Sequence, residues 1–376
     1  MNYKIEGTPN SPVLIFSNSL GSELAMWDEL VPMLLPYFRV LRYDTRGHGG
    51  SKANTNNATN SISELGDDVI GLMDSLGIES AYFCGLSLGG LIGQSLAITY
   101  PQRIKKLVLA NTATKIGSEE GWNARIQTIK AQGMQAIVDD TMNRWFTEAY
   151  RISNPTKVEE ARAMFLRSDV DGYTNCCYAI RDANFEQTIK NCQVETLVIT
   201  GDQDPVTGIK DAEFLVENIP NATLHVLPTR HLSAVEKPHV FAQTLIDFFV
   251  GSEIQQKGMH IRRTVLGDDH VDNANSKKNS FNTDFQAFVT KYAWGEIWAR
   301  PQLSKPNRSL ITIAMLIALN RQVEFKMHIK AAIHNGVTVD EIKEVIMHAA
   351  LYCGLPAANE ALHAAEEVFI NLGIKI

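Results

Sequence analysis

The sequence predicts an α/β domain, with a mostly parallel sheet covered on both faces and a helical lid, followed by an all-α domain. Three observations lead there. Through about residue 250, short apolar runs alternate with stretches of helical period, the pattern of a parallel sheet between helical layers. From about 115 to 191 the strand signal stops, and beyond 259 it does not return. At 376 residues, the chain is also long for a single domain.

In chain order, 13–17 and 38–43 read as buried strands, separated by the tight loop Asn18-Ser19-Leu20-Gly21. A glycine-rich turn, 44–51, follows the second strand. Ser61 and Glu64 have capping-box spacing, and Leu65, Val69, Leu72, Met73 and Leu76 continue at helical period. The run Tyr82-Phe83-Cys84 then enters Gly85-Leu86-Ser87-Leu88-Gly89, and a helix-compatible stretch follows from Leu91. Gly-x-Ser-x-Gly between a strand and a helix is what a nucleophile elbow requires: flanking glycines relieve Cβ clashes at a sharp turn, leaving the Ser87 hydroxyl exposed. The N–H of Leu88, at the positive end of the helix, would then face a developing oxyanion. Another buried strand is expected at 106–110. Trp122, Ile126, Ile129, Met134, Ile137, Val138, Met142, Trp145 and Phe146 have helical spacing, so 115–191 is read as a lid over the strand ends. The adjacent Cys176 and Cys177 fall within it as helix residues.

Strands resume at 195–199 and 223–227. The first leads to Gly201-Asp202-Gln203-Asp204 and the second to Arg230-His231. Acid and histidine thus each follow a strand, in the order Ser, Asp, His of the α/β-hydrolase triad. Asp204 is preferred to Asp202 because the chain can turn before its carboxylate projects. His48, His225 and His239 are read as turn, strand or surface residues.

Composition narrows the function. A net charge of −7 argues against nucleic-acid binding, and any recognition of acids must be local. Five cysteines without CxxC suit a reducing cytoplasm. No apolar leader and no run of membrane-spanning length is present, so the expectation is a cytoplasmic protein with no membrane partner.

A helix at 238–250 is expected to close a first domain at 1–250, with 251–258 as a linker and 259–376 as the second domain. The stretch 268–282 is polar, and helices are expected at 281–294, 308–319, 323–334, 339–352 and 357–371. Thr338 and Glu341 form a capping box, and Gly336 suits a helix C′ position. Glu324 and His328 share one helix face, as do His348 and Tyr352 on the next helix. Two antiparallel helices would bring all four together, as an acid–base cluster or as a hydrogen-bonded core network. Zinc ligation is a third reading, but HExxH spacing is absent and no metal is expected.

These residues carry two resemblances. The loop at 18–21, the turn at 43–49, the Ser87 elbow and Arg144-Trp145-Phe146-Thr147 resemble the 3-oxoadipate enol-lactonases of the α/β-hydrolase superfamily. Residues 262–271, 324–328, 341–345 and 352–356 resemble the 4-carboxymuconolactone decarboxylases. One departure is Arg230 before His231, where many hydrolases have glycine. The resemblances imply a bifunctional, cofactor-independent enzyme of consecutive steps in the protocatechuate branch of the β-ketoadipate pathway, acting on small lactones. In the first domain Ser87, Asp204 and His231 would be catalytic, Leu20 and Leu88 would supply oxyanion N–H groups, and Trp145 would pack on the lactone. In the second, His328 would be the acid–base residue, oriented by Glu324, with His348 and His270 as lesser candidates. Arg263, Arg300 and Arg308 would meet carboxylates. The resemblance also implies a homo-oligomer through the helical domain. The competing expectation is an esterase or lactonase joined to a non-catalytic oligomerisation module.

Overall fold

The computed structural model describes residues 1–53 and 60–375. The chain divides into two compact units, Met1–Phe249 and Val250–Ile376.

Unit one is built on a seven-stranded sheet: β1 (Tyr3–Glu6), β2 (Val13–Ser17), β3 (Arg39–Tyr43), β4 (Ala81–Leu86), β5 (Ile104–Ala110), β6 (Thr196–Gly201) and β7 (Ala222–Leu227). Their spatial order is β1-β3-β2-β4-β5-β6-β7, with β1 antiparallel to β3 and every other pairing parallel. The edge strand β1 has no buried alternation and was not foreseen in the sequence. Central β4 is buried throughout, as an apolar strand between two helical layers should be. The Ser61–Glu64 capping box starts the helix Ile62–Ser75. Five helices, Glu119–Gln132, Val138–Trp145, Glu148–Ser153, Pro155–Leu166 and Val170–Asp182, lie between β5 and β6 as the expected lid.

Unit two is helical. Helices Lys305–Ala318, Gln322–His334, Val339–Cys353 and Leu355–Asn371 enclose a core that includes Ile313, Phe325, Ile329, Ile342, Ile346 and Phe369. Two expectations need correction. Residues 251–258 are not a linker but part of the continuous helix Pro238–Leu266. Gly258 is there for packing, since a Cβ on it would come within 2.1 Å of the Thr290 carbonyl oxygen. The expected helix at 281–294 is instead an α-helix, Thr283–Phe288, running into a π-helix, Val289–Trp298. The polar stretch before it contains a further helix, Asp268–Ser276. Polarity marked a solvated helix face here, not a loop. Among the described residues no helix is long and apolar enough to cross a membrane.

Candidate active sites

The turn between β4 and the helix Leu88–Thr99 holds Ser87 at φ 58°, a left-handed conformation that L side chains seldom adopt. The glycines around it make the turn possible. A Cβ on Gly85 would lie 2.0 Å from the Gly89 carbonyl oxygen, and one on Gly89 would lie 2.2 Å from that of Ser17. Thr112 Oγ1 fixes the elbow further by donating to the Ser87 carbonyl at 2.8 Å.

His231 Nε2 is 2.9 Å from Ser87 Oγ, and His231 Nδ1 is 2.8 Å from Asp204 Oδ2. All three residues are buried. Asp204 accepts from the N–H groups of Val206 and Thr207, the Thr207 hydroxyl and the Asn111 amide. Burial alone would raise its pKa. The neighbouring His231 and these hydrogen bonds outweigh burial and hold the carboxyl below its ordinary value, so it stays ionised. Asp202 is exposed.

The loop after β2 sits opposite the elbow. Asn18 accepts from Gly89 N–H through its carbonyl and from Trp27 Nε1 through its side chain, while its amide donates to the Tyr43 carbonyl. Gly21 N–H donates to His48 Nε2 at 3.0 Å. These bonds hold Leu20 in place, and the N–H groups of Leu20 and Leu88 have no protein partner among the described residues. His48 is indeed a turn residue, but a buried one. Desolvation lowers its pKa to about 4, leaving it neutral and able to accept.

A cavity of about 460 Å³ opens on Ser87 and His231 and is lined by Leu20, Arg125, Arg144 and Trp145. Trp145 is buried edge-on to Phe165, with ring centroids 5.6 Å apart. Arg144 pairs with Asp140 at 2.6 Å. Arg125 is held by the Tyr173 and Thr141 hydroxyls, not by a carboxylate.

Several supporting residues escaped sequence reasoning. Asn111, at φ 43° directly after β5, joins Asp204 to Ser233. Buried Glu236 accepts from Thr147 in the lid and from Arg230 N–H beside the histidine. Main-chain bonds from His231 to Arg144 and from Leu232 to Trp145 add to that seam. Only the left-handed preference of asparagine after a strand would have pointed to any of these.

In unit two, His328 is partly buried and nearly parallel to Trp298, with centroids 6.3 Å apart. Burial, with a smaller contribution from His270, lowers its pKa to about 4, against an opposing pull from Glu324. Glu324 is exposed and makes no hydrogen bond to His328. His348 pairs with Tyr352 at 5.0 Å, and both are exposed. The expected four-residue cluster does not form, because the helix of His328 packs chiefly on Lys305–Ala318 and Leu355–Asn371 rather than on that of His348. Arg263 is bound to Asp268 and Asp272 at 2.9 and 2.5 Å. Arg308 donates to the carbonyl of exposed Arg300. Among the described residues, no three metal-ligating side chains converge.

Comparison with known proteins agrees with this two-part geometry. Residues 12–238 match the alpha/beta hydrolase fold family, and residues 283–367 match the carboxymuconolactone decarboxylase family. Over 241 residues, unit one is 42% identical to 3-oxoadipate enol-lactonase 2 of Acinetobacter baylyi, covering 64% of this chain and 90% of that protein. Over 119 residues, the chain is 53% identical to the 4-carboxymuconolactone decarboxylase of the same organism, covering 32% of this chain and 89% of that protein. The chain belongs to both families. It joins an enol-lactonase-like hydrolase unit to a 4-carboxymuconolactone decarboxylase unit. The crystal structure of the enol-lactonase from Burkholderia xenovorans LB400 superposes with a TM-score of 0.64 at 40% identity, covering 66% of this chain and 95% of that one.

Proposed function

We propose that the chain catalyses two consecutive reactions of the β-ketoadipate pathway. Residues 250–376 decarboxylate 4-carboxymuconolactone to 3-oxoadipate enol-lactone, and residues 1–249 hydrolyse that product to 3-oxoadipate. The observation carrying the proposal is the fusion itself: the product of one relative's reaction is the substrate of the other's.

The decarboxylation chemistry fits a site without a cofactor. As the carbon–carboxylate bond breaks, its electron pair passes through the ring double bond onto the lactone carbonyl, giving a dienolate. Proton addition at the carbon next to that carbonyl moves the double bond and yields the enol-lactone. The protein need only hold a dianion and deliver one proton. His328 is the proposed donor. Burial favours its neutral form, and a dianionic substrate beside it would favour the cation. His270 is the second choice and exposed His348 the weaker one, with Glu324 acting on His328 through its charge. Arg300 and Arg308 are retained as carboxylate contacts. Arg263 is withdrawn as a contact, because Asp268 and Asp272 already hold its guanidinium.

In the hydrolase unit, His231 removes the Ser87 proton as Oγ attacks the lactone carbonyl, and Asp204 stabilises the imidazolium. The Leu20 and Leu88 N–H groups receive the oxyanion; one such donor is typically worth about 3–4 kcal/mol. The leaving enolate becomes a ketone on protonation, and His231 then activates water to release the acid from Ser87. Trp145 supplies an apolar wall for the ring. Arg125, without a carboxylate partner of its own, can pair with the substrate's free carboxylate.

Unit two also exposes Ile311 and Met315 along one helix with Leu319 just after its end, Met347 and Leu351 on another, and Leu355 and Ile370 on a third. Repetition at helical spacing favours burial against further copies of the chain, and we propose a homo-oligomer through this face.

The test is a paired assay of wild type and Ser87→Ala on 4-carboxymuconolactone. The variant is expected to release carbon dioxide at the wild-type rate and to accumulate enol-lactone. If wild type transforms neither lactone, the substrate assignment is wrong.

A further inference from the structure

Arg262 and Arg263 are neighbours in sequence with opposite fates. Arg263 faces its two aspartates near the surface, whereas Arg262 is 6% exposed and has no carboxylate partner among the described residues. Its Nη1 and Nη2 donate to the Thr290 hydroxyl at 3.2 Å and the Gln286 side chain at 3.0 Å. Its Nε is buried without any partner. A guanidinium taken out of water beside neutral groups alone is costly to keep, and such a site becomes favourable when an anion completes it.

Two further buried polar atoms nearby are also unpartnered, Trp294 Nε1 and His328 Nδ1. Trp294 packs on Trp298, Trp298 lies nearly parallel to His328, and Arg262 bonds Thr290 one turn before Trp294. Val265 and Leu266, Val271, Trp294 and Ala331 share a single apolar cluster, with Trp298 packed against it. Arg262 lies one turn before Val265, His270 beside Val271, and His328 one turn before Ala331. A close helix crossing sets the approach: a Cβ on Gly295 would lie 2.6 Å from the Ile254 carbonyl oxygen. The π-helix that carries Thr290, Trp294 and Trp298 is a distortion common at functional sites. Arg262 Nε and Trp294 Nε1 can only donate, and among the described residues neither has an acceptor.

We infer that Arg262, with the Trp294 indole N–H, is the carboxylate anchor of the decarboxylase site, binding the substrate carboxylate that is retained while the other leaves as carbon dioxide. The inference rests on the decarboxylase reading of unit two. Arg262 lowers the pKa of His270, after the larger effect of burial, which places both in one positive field. An anion held there neutralises part of that field next to His328, the proposed proton donor. Anchoring the retained carboxylate places the buried guanidinium on the group that stays, not on the one that becomes neutral carbon dioxide.

The experiment uses the full chain with Arg262→Gln, Arg262→Lys and Arg263→Gln, following carbon dioxide release from 4-carboxymuconolactone. Lost charge-assisted hydrogen bonds should raise KM by about 10- to 100-fold in Arg262→Gln. Arg262→Lys, which keeps the charge, should recover part of that loss, and Arg263→Gln should stay close to wild type. An Arg262→Gln KM equal to wild type overturns the inference, as does an equal loss in Arg263→Gln. If wild type releases no carbon dioxide, the substrate reading fails instead. Calorimetric titration with glutarate, a non-reacting dicarboxylate, then decides the anion site: weaker binding by Arg262→Gln than by wild type supports it, and equal binding overturns it.

Discussion

The two units solve opposite problems with opposite architectures. In the hydrolase unit every side chain of the candidate triad is already paired: Ser87 with His231, His231 with Asp204, and Asp204 with Asn111 and Thr207. The helical unit keeps buried polar atoms unpaired at Arg262, Trp294 and His328, and leaves apolar side chains such as Leu351 exposed. Where the protein makes the attack, the nucleophile must be aligned before substrate arrives, so the alignment is written in protein–protein hydrogen bonds. Where the electrons come from the substrate's own breaking bond, the protein supplies complementary charge, and substrate completes the network.

The strongest way to break this comparison is at Asp204. Asp204→Asn should lower kcat for enol-lactone hydrolysis by about 10⁴-fold, because the amide selects the wrong histidine tautomer. Carbon dioxide release by the same protein should not change. Steady-state rates for the two steps check this. Activity within tenfold of wild type would mean that the paired network is not what drives attack, or that Asp202 serves in place of Asp204.

A second large effect should appear only in the helical unit. Leu351→Glu puts a carboxylate on a side chain that is 81% exposed in the single chain. If that face is buried between copies, an ion costing several kcal/mol to desolvate should weaken assembly by about 100-fold or more. Sedimentation velocity would show smaller species, with lactonase activity retained. Unchanged sedimentation would mean that Leu351 faces solvent, and the proposed interface would lie elsewhere.

What could be read from sequence follows the same division. The meeting of Ser87, Asp204 and His231 was legible because each follows a strand of a parallel sheet, whose geometry delivers strand ends to one rim. Their supports, Asn111 and Glu236, were not, since a buried carboxylate that ties the lid to the histidine loop has no periodicity of its own. In the helical unit, spacing placed Glu324 and His328 on one face but could not say which helices would be neighbours, and His348 lies elsewhere. Nor could sequence separate Arg262 from Arg263, because which of two adjacent helix positions faces inward depends on tertiary packing. The supposed linker failed for a related reason. Gly258 resembles a chain break in sequence, yet it is what permits a close helix crossing.

The smallest effect sharpens the comparison through two histidines that burial holds near a pKa of 4 in different surroundings. His48 is enclosed by protein and accepts from Gly21 N–H, so its neutrality belongs to the fold. With the folded value below the unfolded one, its contribution to stability is present in full above about pH 6.5 and is lost as pH falls toward 4. His48→Gln keeps an acceptor for Gly21, so activity at neutral pH should change less than about threefold. Over the acid window, however, the fall in stability should be shallower than in wild type by up to about 1.4 kcal/mol per pH unit, measured by denaturant unfolding. A slope identical to wild type would mean that His48 is not the buried neutral acceptor. His328 obeys the same sign, but the inferred anion beside it would oppose the effect of burial. Glutarate should therefore raise the pKa of His328, read from its ring proton shifts, and leave that of His48 where it is.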